Sequence, residues 1–167
     1  MSIKADLNMF LESNDQNKKD DFIKDTEKHK KLVKFFMDKF ADEIKLRALL
    51  HDNSKLEEPE LTVFAKNTAI LKDLKYGSKE YKEAKKLLPL DHHYKNNKHH
   101  PEHFEMGING MTFVDIIEMF CDWAASSQRT KEGNVLDSIE FNKEKFKMSD
   151  QLISILKNSI GFFNYGV

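Results

Sequence analysis

Cysteine occurs once in this chain, at Cys121, proline three times, and arginine only at Arg47 and Arg129. One cysteine excludes an intramolecular disulfide and any zinc site built on cysteine pairs, and it fits a reducing cytosol. Cys121 lies in an apolar run, which predicts a buried, inert thiol. No apolar run approaches the ~20 residues of a membrane span, and no apolar signal core follows Met1, so no membrane partner is expected. The formal net charge of −1 supplies no basic field to draw the chain onto duplex nucleic acid. Glycine is scarce, at six residues, and no Pro/Gly/Ser-rich linker divides the chain. Alternation of strand period is missing throughout, which excludes a core built on sheets.

What is present is helical periodicity. Residues 1–19 are polar after a short Leu7/Met9/Phe10/Leu11 patch and are expected to form an N-terminal arm or short helix. Residues 20–167 are expected to form a single domain. From about Asp20 to Phe40, apolar residues at Phe22, Leu32, Val33, Phe36 and Phe40 share one helix face, and His29 falls on that stripe. A second helix is predicted over Asp42–Asp52, and a third begins at Glu57-Glu58-Pro59-Glu60, where proline and acids suit a first turn. Gly77 ends that helix and Ser78 can cap the next, which carries Tyr81, Ala84, Leu88 and His92 and is interrupted at Pro89. Met111–Ser126 is a strong amphipathic pattern with Phe113, Ile116, Ile117, Phe120, Cys121 and Ala124 on its apolar face. Asp115, Glu118 and Asp122 share a second, acidic face of that helix. Ser149 can cap a last helix through Leu152, Ile153, Leu156 and Ile160, and the aromatic tail 161–167 is expected to pack back or to mediate a contact. The architecture implied is all-α, a compact, non-repetitive bundle of six or seven helices.

The chemistry concentrates in a few places. Leu49-Leu50-His51-Asp52-Asn53-Ser54-Lys55 ends an apolar run with a His-Asp doublet and sets Lys55 one helical turn beyond it. Five of the seven histidines, His92, His93, His99, His100 and His103, lie within twelve residues. Imidazoles and carboxylates together suit Mn, Fe, Co, Ni, Zn or Mg in mixed nitrogen and oxygen shells. Adjacent residues on a helix point about 100° apart, so His51 and Asp52 can serve one centre only at the lip of a pocket. Lys55 is a point charge suited to a phosphate oxygen, or else a solvated surface lysine. Asp122 needs a metal or a basic partner such as Lys55 or Arg129 if it is buried. Glu118, one turn earlier, is a further ligand or an orienter of a histidine. Trp123 can stack on a base or belong to the core.

A lone His, then His-Asp, then a distant Asp resembles the HD superfamily of metal-dependent phosphohydrolases. His29, His51, Asp52 and Asp122 occupy those places. The His-Asp-x-x-Lys form with a later His-His pair is similar to its multi-metal branch, which includes cyclic-dinucleotide phosphodiesterases; Pro101-Glu102-His103-Phe104 stands where that branch has Gly-Tyr-Pro. The chain is also similar, over about residues 27–158, to a family of short uncharacterised phage and bacterial proteins. Its marks here are His51-Asp52-x-Ser54-Lys55, His92-His93-Tyr94-x-x-Asn97-x-His99-His100-Pro101-Glu102 and Glu118-Met119-x-x-Asp122-Trp123.

The HD resemblance implies a phosphohydrolase acting on a nucleotide or related phosphoester through a metal-activated hydroxide. Asp52 and Lys55 are the catalytic candidates. His29, His51, Asp52, His93, His100 and Asp122 are the metal candidates, with His92, His99 and Glu118 as possible further ligands. Lys55, Asn97 and Arg129 are the substrate-binding candidates. The cofactor expected is a divalent transition metal, as two ions (Mn, Fe, Co, Ni or Zn, with Mg open). The other readings are a di-iron oxygenase of the HD type and a non-catalytic, phage-encoded nucleotide-binding protein. A small-molecule phosphoester or nucleotide is the expected partner, a homodimer stays open, and the expected location is cytoplasmic, the bacterial host's cytosol if phage-encoded.

Overall fold

A computed structural model describes residues 3–72, 74, 78–129 and 133–163, without the side chains of 3–14, 69, 72, 81 and 82. Gly77, the Tyr81 side chain, the apolar patch at residues 7–11 and the tail 164–167 named above therefore lie outside the description. Among the described residues there are seven α-helices and no strand. They are α1 (Ile3–Leu50), α2 (Glu60–Lys72), α3 (Lys79–Lys85), α4 (Leu90–Asn96), α5 (Phe113–Ser127), α6 (Val135–Lys145) and α7 (Asp150–Ser159). Short 3-10 turns at Asn53–Leu56, Pro101–His103, Gly107–Gly110 and Ile160–Phe163 join or end them. The all-α reading therefore holds.

Several details differ from the periodicity. The arm and first two helices expected over residues 1–52 are one continuous helix, α1, because nothing between Phe40 and Asp42 breaks a helix. The chain divides into two compact units, residues 1–43 and 44–167. The first unit is α1 up to Glu43. Its stripe at Phe22, Leu32, Val33, Phe36 and Phe40 is exposed, as is His29, which therefore does not sit inward.

In the second unit, Pro89 stops the helix expected through His92 and becomes the residue before α4, since its ring cannot continue the hydrogen-bonded turn. The core gathers Ile108, Met119, Phe120 and Ala124 against Val135, Ile139, Met148 and Leu156, with Phe163 against Phe120. Trp123 stacks on Phe146 and belongs to this packing. The apolar face of α5 is rotated from the one anticipated: Phe113, Ile117 and Cys121 are exposed, while Val114, Asp115 and Met119 are buried. The rotation has a cause. The helix serves two neighbours, the core on one side and, through Asp115 and Glu118, Arg47 on the other.

Asp115 closes a capping box with Thr112 and accepts from Arg47 at 2.9 Å while 2 % exposed. Burial opposes its ionisation, but the Thr112 hydrogen bonds and Arg47 outweigh that and hold the carboxyl below its ordinary range. Thr112→Ala should therefore cost about 1 kcal/mol in urea unfolding. Asp115→Ala should cost about 3 kcal/mol or more, because Arg47 then keeps only one acid partner. Equal losses in the two variants would show that the Arg47 pairing contributes nothing.

Candidate metal centre

The centre is built where α1 ends. The helix stops at Leu50, and Asp52 turns into the left-handed region at φ 57° before the 3-10 turn Asn53–Leu56. Aspartate tolerates that conformation better than most residues, though still at a cost of about 1 kcal/mol. The turn removes the obstacle seen in the sequence. Once the doublet leaves the helix, His51 and Asp52 can face one space: His51 Nε2 lies 3.6 Å from Asp52 Oδ2.

Three other imidazoles reach the same carboxylate from α4 and the loop beyond it. His93 Nε2 and His99 Nε2 each lie 3.5 Å from Asp52 Oδ1, and His100 Nε2 lies 2.9 Å from His93 Nε2. His93 and His99 are both 2 % exposed. Asp52, His93, His99 and His100 form one group whose ligand atoms all lie within 4.8 Å of one another, and His51, His99 and Glu118 form another.

Two buried carboxylates orient these rings. Glu60, fully buried on the first residue of α2, faces His93 Nδ1 at 2.9 Å and His92 Nδ1 at 2.7 Å, and accepts from Ser54 Oγ at 3.0 Å. Glu118 Oε1 faces His51 Nδ1 at 2.9 Å and His99 Nδ1 at 3.2 Å, while its Oε2 is held by Arg47 at 2.5 Å. An Nδ1–H donated to a carboxylate, as at His51 and His93, leaves Nε2 as a lone-pair donor, and Nε2 is the atom that both rings turn toward Asp52. Burial disfavours the ionised form of both glutamates, but hydrogen bonds from the imidazoles outweigh it and hold each carboxyl below its ordinary range.

A test of fit follows from the polar atoms left over. Asp52 Oδ1, both ring nitrogens of His99 and Glu118 Oε2 are buried and make no hydrogen bond; of these, Asp52 Oδ1 and His99 Nε2 face each other at 3.5 Å. An orphaned buried acceptor costs about 1–3 kcal/mol. Ligand bonds of about 2.1 Å place neighbouring donor atoms about 3–3.5 Å apart, which is the spacing seen here. His93 Nε2 and His100 Nε2 are at hydrogen-bond distance from each other, 2.9 Å. These residues can hold a metal ion.

Lys55 donates to Asp52 Oδ2 at 2.5 Å and stands over the Phe64 ring. Burial raises the Asp52 pKa, but the hydrogen bond and charge of Lys55 lower it further, so the carboxyl sits below its ordinary value. Asp122 is half-buried, with Oδ1 3.8 Å from His51 Nε2.

The structure sorts the remaining candidates. His29 is exposed on the first unit and belongs to neither group. His92 turns to Glu60 and lies outside both groups. Asn97 is buried and its amide donates to Ser54 Oγ and the His93 carbonyl, so it braces the framework of the centre. Arg129 is exposed just beyond α5, and the His103 ring faces the Tyr94 carbonyl at 2.9 Å. Glu60 was not anticipated from the sequence, nor was the role of Arg47. Glu60 reads there as one of several acids in a first helical turn. Its only distinguishing mark is its place six residues after Ser54.

Fold and site together define an all-α protein whose buried His, Asp and Glu groups can hold a metal ion. The chain belongs to the family of unknown function DUF5662, whose profile matches residues 18–161. Neither a curated protein nor a solved structure matches it. Among the described residues, no helix is long and apolar enough to cross a membrane.

The buried rings make the metal-free protein acid-sensitive. Burial, with the neighbouring histidines adding to it, lowers the His100 pKa to about 2, and burial also lowers that of His93. In the unfolded chain these rings take up protons near pH ~6.5, while the folded chain refuses them. Stability contributed by each is thus present above ~6.5 and lost as pH falls, by about 1.4 kcal/mol per pH unit. His51, raised by its Glu118 hydrogen bond, acts in the opposite sense. Thermal unfolding of chelator-treated protein between pH 7.5 and 5 should show a falling midpoint, flattened in His100→Gln. A midpoint independent of pH in the parent chain would contradict this account.

Proposed function

We propose that this chain is a metal-dependent phosphohydrolase of the HD type acting on a nucleotide or related phosphoester. One observation carries the reading: several imidazole Nε2 atoms and an unpartnered carboxylate oxygen of Asp52 converge on one buried space beside an ammonium group. Two ions are proposed. Asp52, His93, His99 and His100 would hold one, and His51, Asp52 and Asp122 would hold the second. The histidine-rich set favours Mn, Fe, Co, Ni or Zn over Mg. Such ions supply Lewis-acid activation of water and of a phosphoryl oxygen.

The chain's own residues do the rest. Asp52 offers one oxygen to each position, and its low pKa keeps it anionic at neutral pH. Lys55 uses one of an ammonium's three donors on Asp52, and its side chain is 34 % exposed, so it can also meet a phosphate oxygen. Glu60 and Glu118 hold the tautomers. Arg47 is engaged by Asp115 and Glu118 and stays out of substrate binding. The single cysteine supports a reducing cytosol as the location.

Elemental analysis of the purified protein should find at least one transition metal per chain. Asp52→Ala should lose metal and hydrolysis of p-nitrophenyl phosphate or nucleotides while keeping its helical circular dichroism. Glu60→Gln should weaken metal binding about 10- to 100-fold, the usual effect of disturbing a ligand's orienting partner. A parent chain that takes up no metal refutes the proposal, and oxygen consumption by an iron form without hydrolysis replaces it with the oxygenase reading.

A further inference from the structure

Within the second unit, a cavity of about 240 Å³ opens between the end of α1 and α5. One end is formed by His51, Glu118 and Asp122, and its walls include Ile44, Ala48, Ile117 and Ala125. The cavity is thus continuous with the polar centre, yet its walls are of a different character. Arg47 reaches it but is held by Asp115 and Glu118, and His51 Nδ1 is held by Glu118. The helices satisfy their own backbone groups. The walls offer hydrocarbon and sulfur, with Cys121 among them, and few groups to read a nucleobase edge or a sugar hydroxyl.

We infer that this cavity takes the apolar esterified group of the substrate, which makes the substrate class an alkyl or aryl phosphoester in place of a nucleotide. The inference rests on the phosphohydrolase reading above and narrows it. The cavity is open on one side, but any polar edge of a base turned against these walls would lose its hydrogen bonds to water without replacement. A hydrocarbon group loses nothing of the kind. The volume exceeds the ~150 Å³ of an apolar cavity that holds benzene. The polar end is acidic, so a phosphate sits there only through ions and Lys55, with its ester group directed into the cavity.

Cys121 provides the test, because it is the only cysteine in the chain and its side chain lines the cavity. Alkylation of the metal-loaded full chain by N-ethylmaleimide is followed against methyl-, butyl- and hexylphosphonate and adenosine monophosphate. Protection should strengthen by about fourfold in affinity for each buried methylene, the equivalent of about 0.8 kcal/mol. Adenosine monophosphate should protect no better than methylphosphonate. Ala125→Phe and Ala48→Phe, which fill the cavity from opposite helices, should remove the chain-length dependence with metal content unchanged. Equal protection by methyl- and hexylphosphonate, or better protection by adenosine monophosphate, overturns the inference. Hexanol, which carries no phosphate, is run on chelator-treated protein. Its protection in a chain that binds no metal sinks the phosphohydrolase reading and leaves the cavity an apolar-ligand site.

Discussion

Hydrogen bonding between buried glutamates and imidazole Nδ1 atoms is the constraint on which the rest of the centre depends. Glu60 faces two rings and Glu118 faces two more. A neutral imidazole has one N–H and one lone pair, so fixing the proton on Nδ1 determines what Nε2 can do. The pairing works only because both carboxylates stay ionised despite burial, and the rings themselves supply the hydrogen bonds that keep them so. Without Glu60, His92 and His93 lose the partner that fixes tautomer and angle, and without Glu118 His51 does.

That arrangement sets the task of the surrounding fold. Glu60 is placed by the start of α2, immediately after the turn that holds Ser54. Glu118 is placed by α5, whose other face is anchored in the core through Met119 and Phe120. Arg47 ties α1 to α5 through Asp115 and Glu118. The stability of α5 and the geometry of the imidazoles are therefore one problem. The Thr112–Asp115 capping box and the Glu118 pairing lie a single turn apart on the same helix.

An open cavity beside such a centre gives the site two chemically distinct halves. Charge and lone pairs converge at Asp52, while hydrocarbon lines the space between α1 and α5. The same rotation of α5 produces both. It carries Ile117 and Cys121 away from the core and onto the cavity, and it turns Glu118 toward His51.

Much of this was legible in the chain itself. Helical periods at 60–72, 113–127 and 150–159, and the cap at Ser149, follow from local preferences that act within a few residues. The clustering of His93, His99 and His100 and the pairing of His51 with Asp52 were also visible, because residue type and spacing limit the chemistry available. What only the tertiary structure decided is which atoms meet. Turning His92 onto Glu60, bringing His99 in beside His100, assigning Glu60 and Arg47 their roles and leaving His29 in solvent depend on turns such as the left-handed Asp52. They also depend on packing between segments 30 to 70 residues apart. Spacing along a helix says nothing of such distances, because each break in the helix resets the direction in which every later side chain points.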